Sequence, residues 1–171
     1  MKLGIIGLGT VGIGVLEILV KEKENLKLKG ADLEIKYACD LDHNKVFQDN
    51  FDKTVLTKDY KEILDDDEVD TIVELIGGDT LAKKIILEAI EKGKNVITAN
   101  KALIAKHSKE IFSKAIEKDV NLFYEASVGG GIPIIAPLLE NLVANNILGI
   151  RGIINGTCNY ILSEMKDKNL E

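Results

Sequence analysis

Two spacings of apolar residues alternate along this chain, one suited to buried strands and one to helices. Leu3 to Ile6 is a short apolar run set among glycines, which predicts a buried strand. From Thr10 to about Lys23 the apolar residues Val11, Val15, Ile18 and Leu19 recur at helical spacing. Glu22 to Gly30 is charged and reads as a loop or a frayed helix end. Leu33 to Cys39 predicts a second strand with Leu33, Ile35, Tyr37 and Cys39 on one face. A polar excursion, Asp42 to Asn50, separates it from a short third strand at Val55-Leu56, a short helix at Asp59 to Leu64 and a turn at Asp65-Asp66-Asp67. Thr71 to Ile76 is almost wholly apolar, as a central parallel strand should be. Thr80 to Lys92 predicts a helix with Leu81, Ile85, Ile86 and Ala89 inward, stopped by Gly93. Val96-Ile97-Thr98 is a fifth strand, Ala102 to Glu117 a helix, and Leu122 to Tyr124 a sixth strand.

Strands alternating with helices imply right-handed crossovers, hence an α/β fold with a doubly wound parallel sheet. After Tyr124 the pattern changes. The triplet Gly129-Gly130-Gly131 is followed by Ile132-Pro133, which opens an apolar helix to about Ala144. Ile147 to Asn155 reads as a strand and Thr157 to Lys168 as a helix. The expected organisation is therefore a domain at 1–130 and the beginning of a second α+β domain at 131–171. The second is too short to bury a core of its own, so its sheet needs another chain or further sequence.

Bulk properties narrow the partners. Hydrophobic residues make up 46% and charged residues 29% of the 171, a balance for a globular and not a disordered chain. The formal charge of -6 and pI near 5.1 argue against nucleic acid, while leaving room for a small anion held by backbone donors. Two distant cysteines, Cys39 and Cys158, make neither a disulfide framework nor a metal spacing. The first residues lack the features of a signal peptide, and no apolar stretch reaches membrane-span length. The expectation is a cytoplasmic chain with no membrane partner.

The chemistry concentrates at strand ends. Gly7-Leu8-Gly9-Thr10-Val11-Gly12 matches G-x-G-x-x-G, between a strand and a helix, the context that gives this weak pattern its meaning. Gly7 permits the tight turn, Gly9 lets backbone approach a pyrophosphate, and Gly12 lets helix pack close to strand. With Thr10 and Val11 opening the helix, its N-terminus offers N–H groups and positive partial charge to phosphate oxygens. This makes 1–130 a Rossmann-type NAD(P)-binding domain. Asp40, ending the second strand, is placed to bond ribose hydroxyls and repel a 2′-phosphate. NAD is therefore favoured over NADP, although His43 and Lys45 lie near in sequence. The distance from the fingerprint exceeds the usual interval, and the insertion Glu22 to Gly30 absorbs the excess.

Three further strand ends face the same cleft. Gly77 and Gly78 follow the fourth strand and would let a dinucleotide pass close. Thr98 ends the fifth, and Lys101 beyond it could orient a carbonyl or stabilise a developing alkoxide. Most lysines are solvated surface residues, so position alone does not separate that role from a surface one. Glu125 could hold a cation or serve as a loop carboxylate. Thr157 could cap the helix it opens or contact a ligand. Cys158 reads as packing and not as a nucleophile.

Five segments together resemble homoserine dehydrogenase: the fingerprint, Glu74 to Gly78, Thr98 to Leu103, Tyr124 to Pro133, and Gly152 to Leu162. The last two are the most specific. The resemblance implies reversible hydride transfer between NAD(P)H and L-aspartate 4-semialdehyde, giving L-homoserine for threonine and methionine synthesis. It also implies a role for Lys101 at cofactor and substrate, a substrate-side role for Thr157, and a homodimeric enzyme. A monovalent cation, sodium, would be held at Glu125, Val128, Gly130 and Ile132, mainly by backbone carbonyls. The residues 131–171 would begin the substrate and dimerisation domain. The family's acidic substrate ligands and proton-donating lysine lie in a later segment that 1–171 does not match, so these residues alone are expected to bind cofactor without turnover. A non-catalytic dinucleotide-sensing module, or a dehydrogenase acting on another carbonyl or imine, would share the fingerprint without explaining the other segments.

Overall fold

A computed structural model describes residues 1–42, 54–153 and 155–169. It divides into two units, Met1–Gly131 and Ile132–Glu171.

The first unit is built on strand β1 (Lys2–Ile6), whose apolar residues are buried on both faces. It pairs in parallel with β2 (Glu34–Cys39) on one side and β4 (Thr71–Glu74) on the other. Beyond them lie β3 (Val55–Thr57), β5 (Asn95–Thr98) and β6 (Leu122–Phe123), all parallel, in the order β3-β2-β1-β4-β5-β6. Chain order therefore reverses between β1 and β4, and every strand presents its carboxyl end to the same edge. Alternation sends neighbouring residues to opposite layers. Ile6 and Ile72 face a core with Ile63, Ile86, Ile90 and Leu103, from α3 (Tyr60–Asp65), α4 (Thr80–Glu91) and α5 (Lys101–Glu117). Ile5 and Val73 face a smaller core with Leu16 of α1 (Thr10–Lys21). A short helix, α2 (Lys23–Leu28), fills part of the charged stretch before β2.

Four details of the pattern differ from expectation, each for a local reason. In β2 the register skips a residue between the Leu3–Ile35 and Gly4–Tyr37 pairs. This bulge turns Ile35 towards the α1 layer with Ala38, while Tyr37 and Cys39 face the other core. In α1 the inward stripe is Gly12, Val15, Leu16 and Leu19, leaving Val11 and Ile18 exposed. In α4, Ala82 and Ile90 join the buried stripe and Leu81 is exposed. Strand β4 stops at Glu74: Leu75 N–H makes a last bond to Ile6 O (2.8 Å), but Ile76 N–H turns to the Glu74 carboxylate (2.9 Å). The polar excursion at 42–50 lies, beyond Asp42, outside the described residues.

The second unit carries a π-helical turn, Pro137–Asn141, and α6 (Gly156–Asp167). The expected helix from Ile132 to Ala144 shrinks to this turn and the two residues before it, because Pro137 has no N–H for the ladder. The expected strand at 147–155 is absent among its described residues. A strand needs a neighbour to satisfy its backbone, and the described part of this unit supplies none. Leu148, Ile150 and Ile153 are accordingly exposed. Among the described residues no helix is long and apolar enough to cross a membrane.

The edge of the sheet opposite the carboxyl ends is held by charge. Lys36 Nζ lies 2.5 Å from Asp66 and 2.6 Å from Glu68, and Tyr37 OH donates to Asp66 at 2.9 Å. The buried Lys94 donates to the carbonyls of Asp66 and Val69 at 2.7 and 2.8 Å. The Lys36 ammonium beside Asp66 lowers that carboxyl from 3.8 to about 2. A carboxyl depressed in the folded state contributes stability that is complete above its unfolded pKa, about 4, and lost as pH falls through its folded value. The urea midpoint is expected to drop between about pH 4 and 2, and Asp66→Asn to flatten that drop. Denaturation followed by circular dichroism across this range checks it; an unchanged slope in the variant contradicts the assignment.

Candidate functional site

The carboxyl end of β1 closes into a turn that only glycine permits. Gly7 has φ 103°, and a Cβ there would stand 2.6 Å from the Leu75 carbonyl carbon. At Gly12 a Cβ would lie 1.9 Å from the Gly7 carbonyl oxygen. Around Gly9 nothing lies within 4 Å of that position, so its open side is outward. Gly9 is also the N-cap of α1 and offers no side-chain bond, while Thr10 and Val11 are exposed. The first N–H with a helical acceptor is Ile13, bonding Gly9 O at 2.9 Å. The amides of Thr10, Val11 and Gly12 precede this first helical bond, which gives an opening suited to an anion.

Asp40 follows β2 directly and reaches across to the fingerprint. Its Oδ2 accepts from Leu8 N–H at 2.7 Å, and its Oδ1 from Asp42 N–H at 2.9 Å. Beside it opens a cleft of about 270 Å³ with Leu41, Tyr60 and Leu81 as apolar wall and Gly7 and Gly77 as backbone floor. This wall explains why Leu81 is not packed inward. Lys58, the first residue after β3, also lines the cleft. The sequence reading missed it; its place at another carboxyl end of the sheet was the available signal. His43 and Lys45 lie outside the described residues. Cys39 sits in the same wall, where burial pushes its thiol up to about 11.

Across the switch point, a buried carboxylate ties two strand ends together. Glu74 is fully buried; its Oε1 accepts from Ile76 N–H, and its Oε2 accepts from the Thr98 hydroxyl at 2.7 Å. Burial raises its pKa, opposed by bonds from Thr98, Ile76 and Asn100. Thr98 Oγ1 in turn accepts from Asn100 N–H at 3.0 Å. Asn100 caps α5 by accepting from Leu103 N–H, and its Nδ2 donates to Gly78 O at 2.6 Å. The Thr98 side chain is thus enclosed in this network and can meet a ligand only through main chain. Gly77 and Gly78 are exposed, Gly78 with φ 80°. Lys101, the first residue of α5, is exposed beside them.

The remaining candidates fall at residues 125–132 and 155–158. Glu125 opens a 3₁₀ turn (Glu125–Ser127), and its carbonyl accepts from Val128 N–H at 3.1 Å. Gly129, Gly130 and Gly131 have φ of 75°, 43° and 86°; Ile132 begins the second unit. No group of three or more acidic, histidine or cysteine residues suited to a metal occurs among the described residues. In the second unit Asn155, and not Thr157, caps α6, accepting from Cys158 N–H at 2.9 Å. Asn155 holds the position before the helix, where its short amide reaches the free N–H. Thr157 is exposed, and so is Cys158, against the expectation that it packs.

A parallel sheet with a switch point, a glycine turn opening onto an uncapped helix and a carboxylate at the next strand end define a dinucleotide-binding domain of Rossmann type. Residues 7–125 match the family described as homoserine dehydrogenase, NAD binding domain, and residues 133–171 match homoserine dehydrogenase. Among curated relatives, the homoserine dehydrogenase of Pseudomonas aeruginosa is 47% identical over 169 residues, covering 98% of this chain, and that of Synechocystis is 43% identical over 171. A crystal structure of a homoserine dehydrogenase from Thiobacillus denitrificans superposes with TM-score 0.88 at 44% identity, covering 98% of this chain and 39% of that one. The chain belongs to the homoserine dehydrogenase family. It spans 38% of the length of the Pseudomonas protein and 39% of the Synechocystis one.

Gly12→Ala is expected to cost about 1–3 kcal/mol through overpacking against Gly7, and to weaken NADH binding about tenfold or more. Calorimetric titration and a melting curve check both parts. Among the thiols, Cys158 should react at once with a disulfide reagent and Cys39 only on unfolding, at neutral pH. Prompt release of two equivalents from native protein would contradict the burial of Cys39.

Proposed function

We propose that this chain supplies the cofactor-binding part of a homoserine dehydrogenase, acting in the reversible interconversion of L-aspartate 4-semialdehyde and L-homoserine. The observation that carries the reading is the open glycine turn at the mouth of the sheet, held against β4 on one side and Asp40 on the other. A bound nicotinamide dinucleotide supplies or accepts the hydride. The amides of Thr10, Val11 and Gly12, with Gly7 and Gly9 granting access, hold the diphosphate. Asp40 and the cleft beside it receive the adenosine half. Gly77, Gly78 and the main chain of Thr98 lie along the other half, where Lys101 orients the substrate carbonyl and stabilises charge on its oxygen. Thr157 has the substrate-side role that the family resemblance implies. A sodium ion is held by the carbonyls at Val128, Gly130 and Ile132 with Glu125, in a run whose positive φ values turn successive peptides. The residues from 131 onward begin a substrate and dimerisation domain, and the enzyme acts as a cytoplasmic homodimer.

Asp40 favours NAD: its carboxylate bonds the ribose hydroxyls and opposes a 2′-phosphate, while Lys58 supplies a partly compensating charge. Residues 1–171 are expected to bind NADH more tightly than NADPH and to show no steady-state turnover with the semialdehyde. Asp40→Ser should cut the NADH preference about tenfold. Fluorescence titration with both nucleotides, together with the turnover assay, tests this. A wild type that prefers NADPH defeats the role of Asp40, and binding of neither nucleotide defeats the whole reading.

A further inference from the structure

Among the described residues, the interior of the first unit holds one carboxylate that neither the phosphate turn nor the adenosine cleft accounts for. Glu74 sits at the end of β4, wholly buried, one strand from the fingerprint. An ionisable group is costly to bury unless every oxygen is satisfied, and here the donors are drawn from two separate elements. Oε1 holds Ile76 N–H, which fixes where the chain leaves β4 for Gly77 and Gly78. Oε2 holds the Thr98 hydroxyl, which accepts from Asn100 N–H immediately before α5. Asn100 then closes the circuit on Gly78 O at 2.6 Å. The circuit runs β4, loop, α5 cap, β5 and back to β4. Lys101 is the next residue after the cap.

We propose that Glu74 is a positioning residue for the nicotinamide half of the site: it sets the spacing between the Gly77-Gly78 backbone and the start of α5 that carries Lys101. This rests on the reading that the chain binds a nicotinamide dinucleotide across the switch point, with the adenosine half over β2 and the other half over β4 and β5. The Glu74 carboxylate is bonded by Ile76, Thr98 and Asn100, all on the β4 and β5 side of the switch point and none of them in the diphosphate turn. Loosening the circuit therefore separates the two halves of the ligand energetically.

Glu74→Gln keeps the size of the side chain but removes its charge and one of its two acceptor oxygens, so the donors of Ile76, Thr98 and Asn100 lose the charged acceptor they share and the Thr98 bond must reverse or break. Titrate the full chain with NADH and, separately, with ADP, which carries only the adenosine and diphosphate groups. The expected result is that Glu74→Gln loses about tenfold more affinity for NADH than for ADP. Thr98→Val, which removes the linking hydroxyl at nearly constant volume, should show the same selective loss, and decides the matter if Glu74→Gln does not fold. Equal losses for the two ligands, or no loss in either folded variant, overturn the proposal. Wild-type protein that binds ADP but gains nothing from the nicotinamide half, or binds neither, would instead refute the underlying reading.

Discussion

The approach of α1 to β1, backbone against backbone at Gly12 and Gly7, is the contact on which the rest of the first unit depends. No side chain larger than hydrogen fits at Gly12, so the helix axis is set by the peptide of the turn and not by packing of side chains. That closeness keeps the helix N-terminus at the sheet's edge, where its unpaired amides open outward. Gly7 in turn presses on the peptide after Leu75, so the switch point between β1 and β4 is a line of backbone contacts. The apolar layers on either face, with Ile72 and Leu103 on one and Val73 and Leu16 on the other, hold this arrangement without determining it.

Much of this was legible from residue order. The strand and helix succession, the parallel sheet and the fingerprint follow from periodicity and glycine placement, because both are local properties of the chain. The failures were of three kinds. The inward face of α4 was misassigned at Leu81, and in α1 the helical spacing took in Val11 and Ile18, which lie outside the buried stripe; periodicity admits two neighbouring stripes and only the shape of the sheet and cleft decides. The flip within β2 came from a bulge, which leaves alternation intact on paper. The strand expected at 147–155 failed because pairing is not local.

At the site the same division holds. Gly7, Gly9 and Gly12 could be assigned individual roles in advance, since each role is a statement about space around one backbone atom. Lys58 and Glu74 could not, since their meaning comes from neighbours distant in sequence: Lys58 from the cleft it shares with Asp40, Glu74 from Thr98 and Asn100. Thr98 illustrates the converse. Its position at a strand end marked it as a ligand contact, yet its hydroxyl is spent inside the protein.

The bond from Leu8 N–H to Asp40 has a bearing on coenzyme engineering. One oxygen of the group that would discriminate between the two nucleotides also stabilises the bend that grips their common diphosphate. Selectivity and grip are thus mechanically joined through a single carboxylate. A side chain introduced to welcome the phosphorylated coenzyme would need to furnish its own acceptor for that amide, or the gain in preference would come with a slacker hold on either molecule.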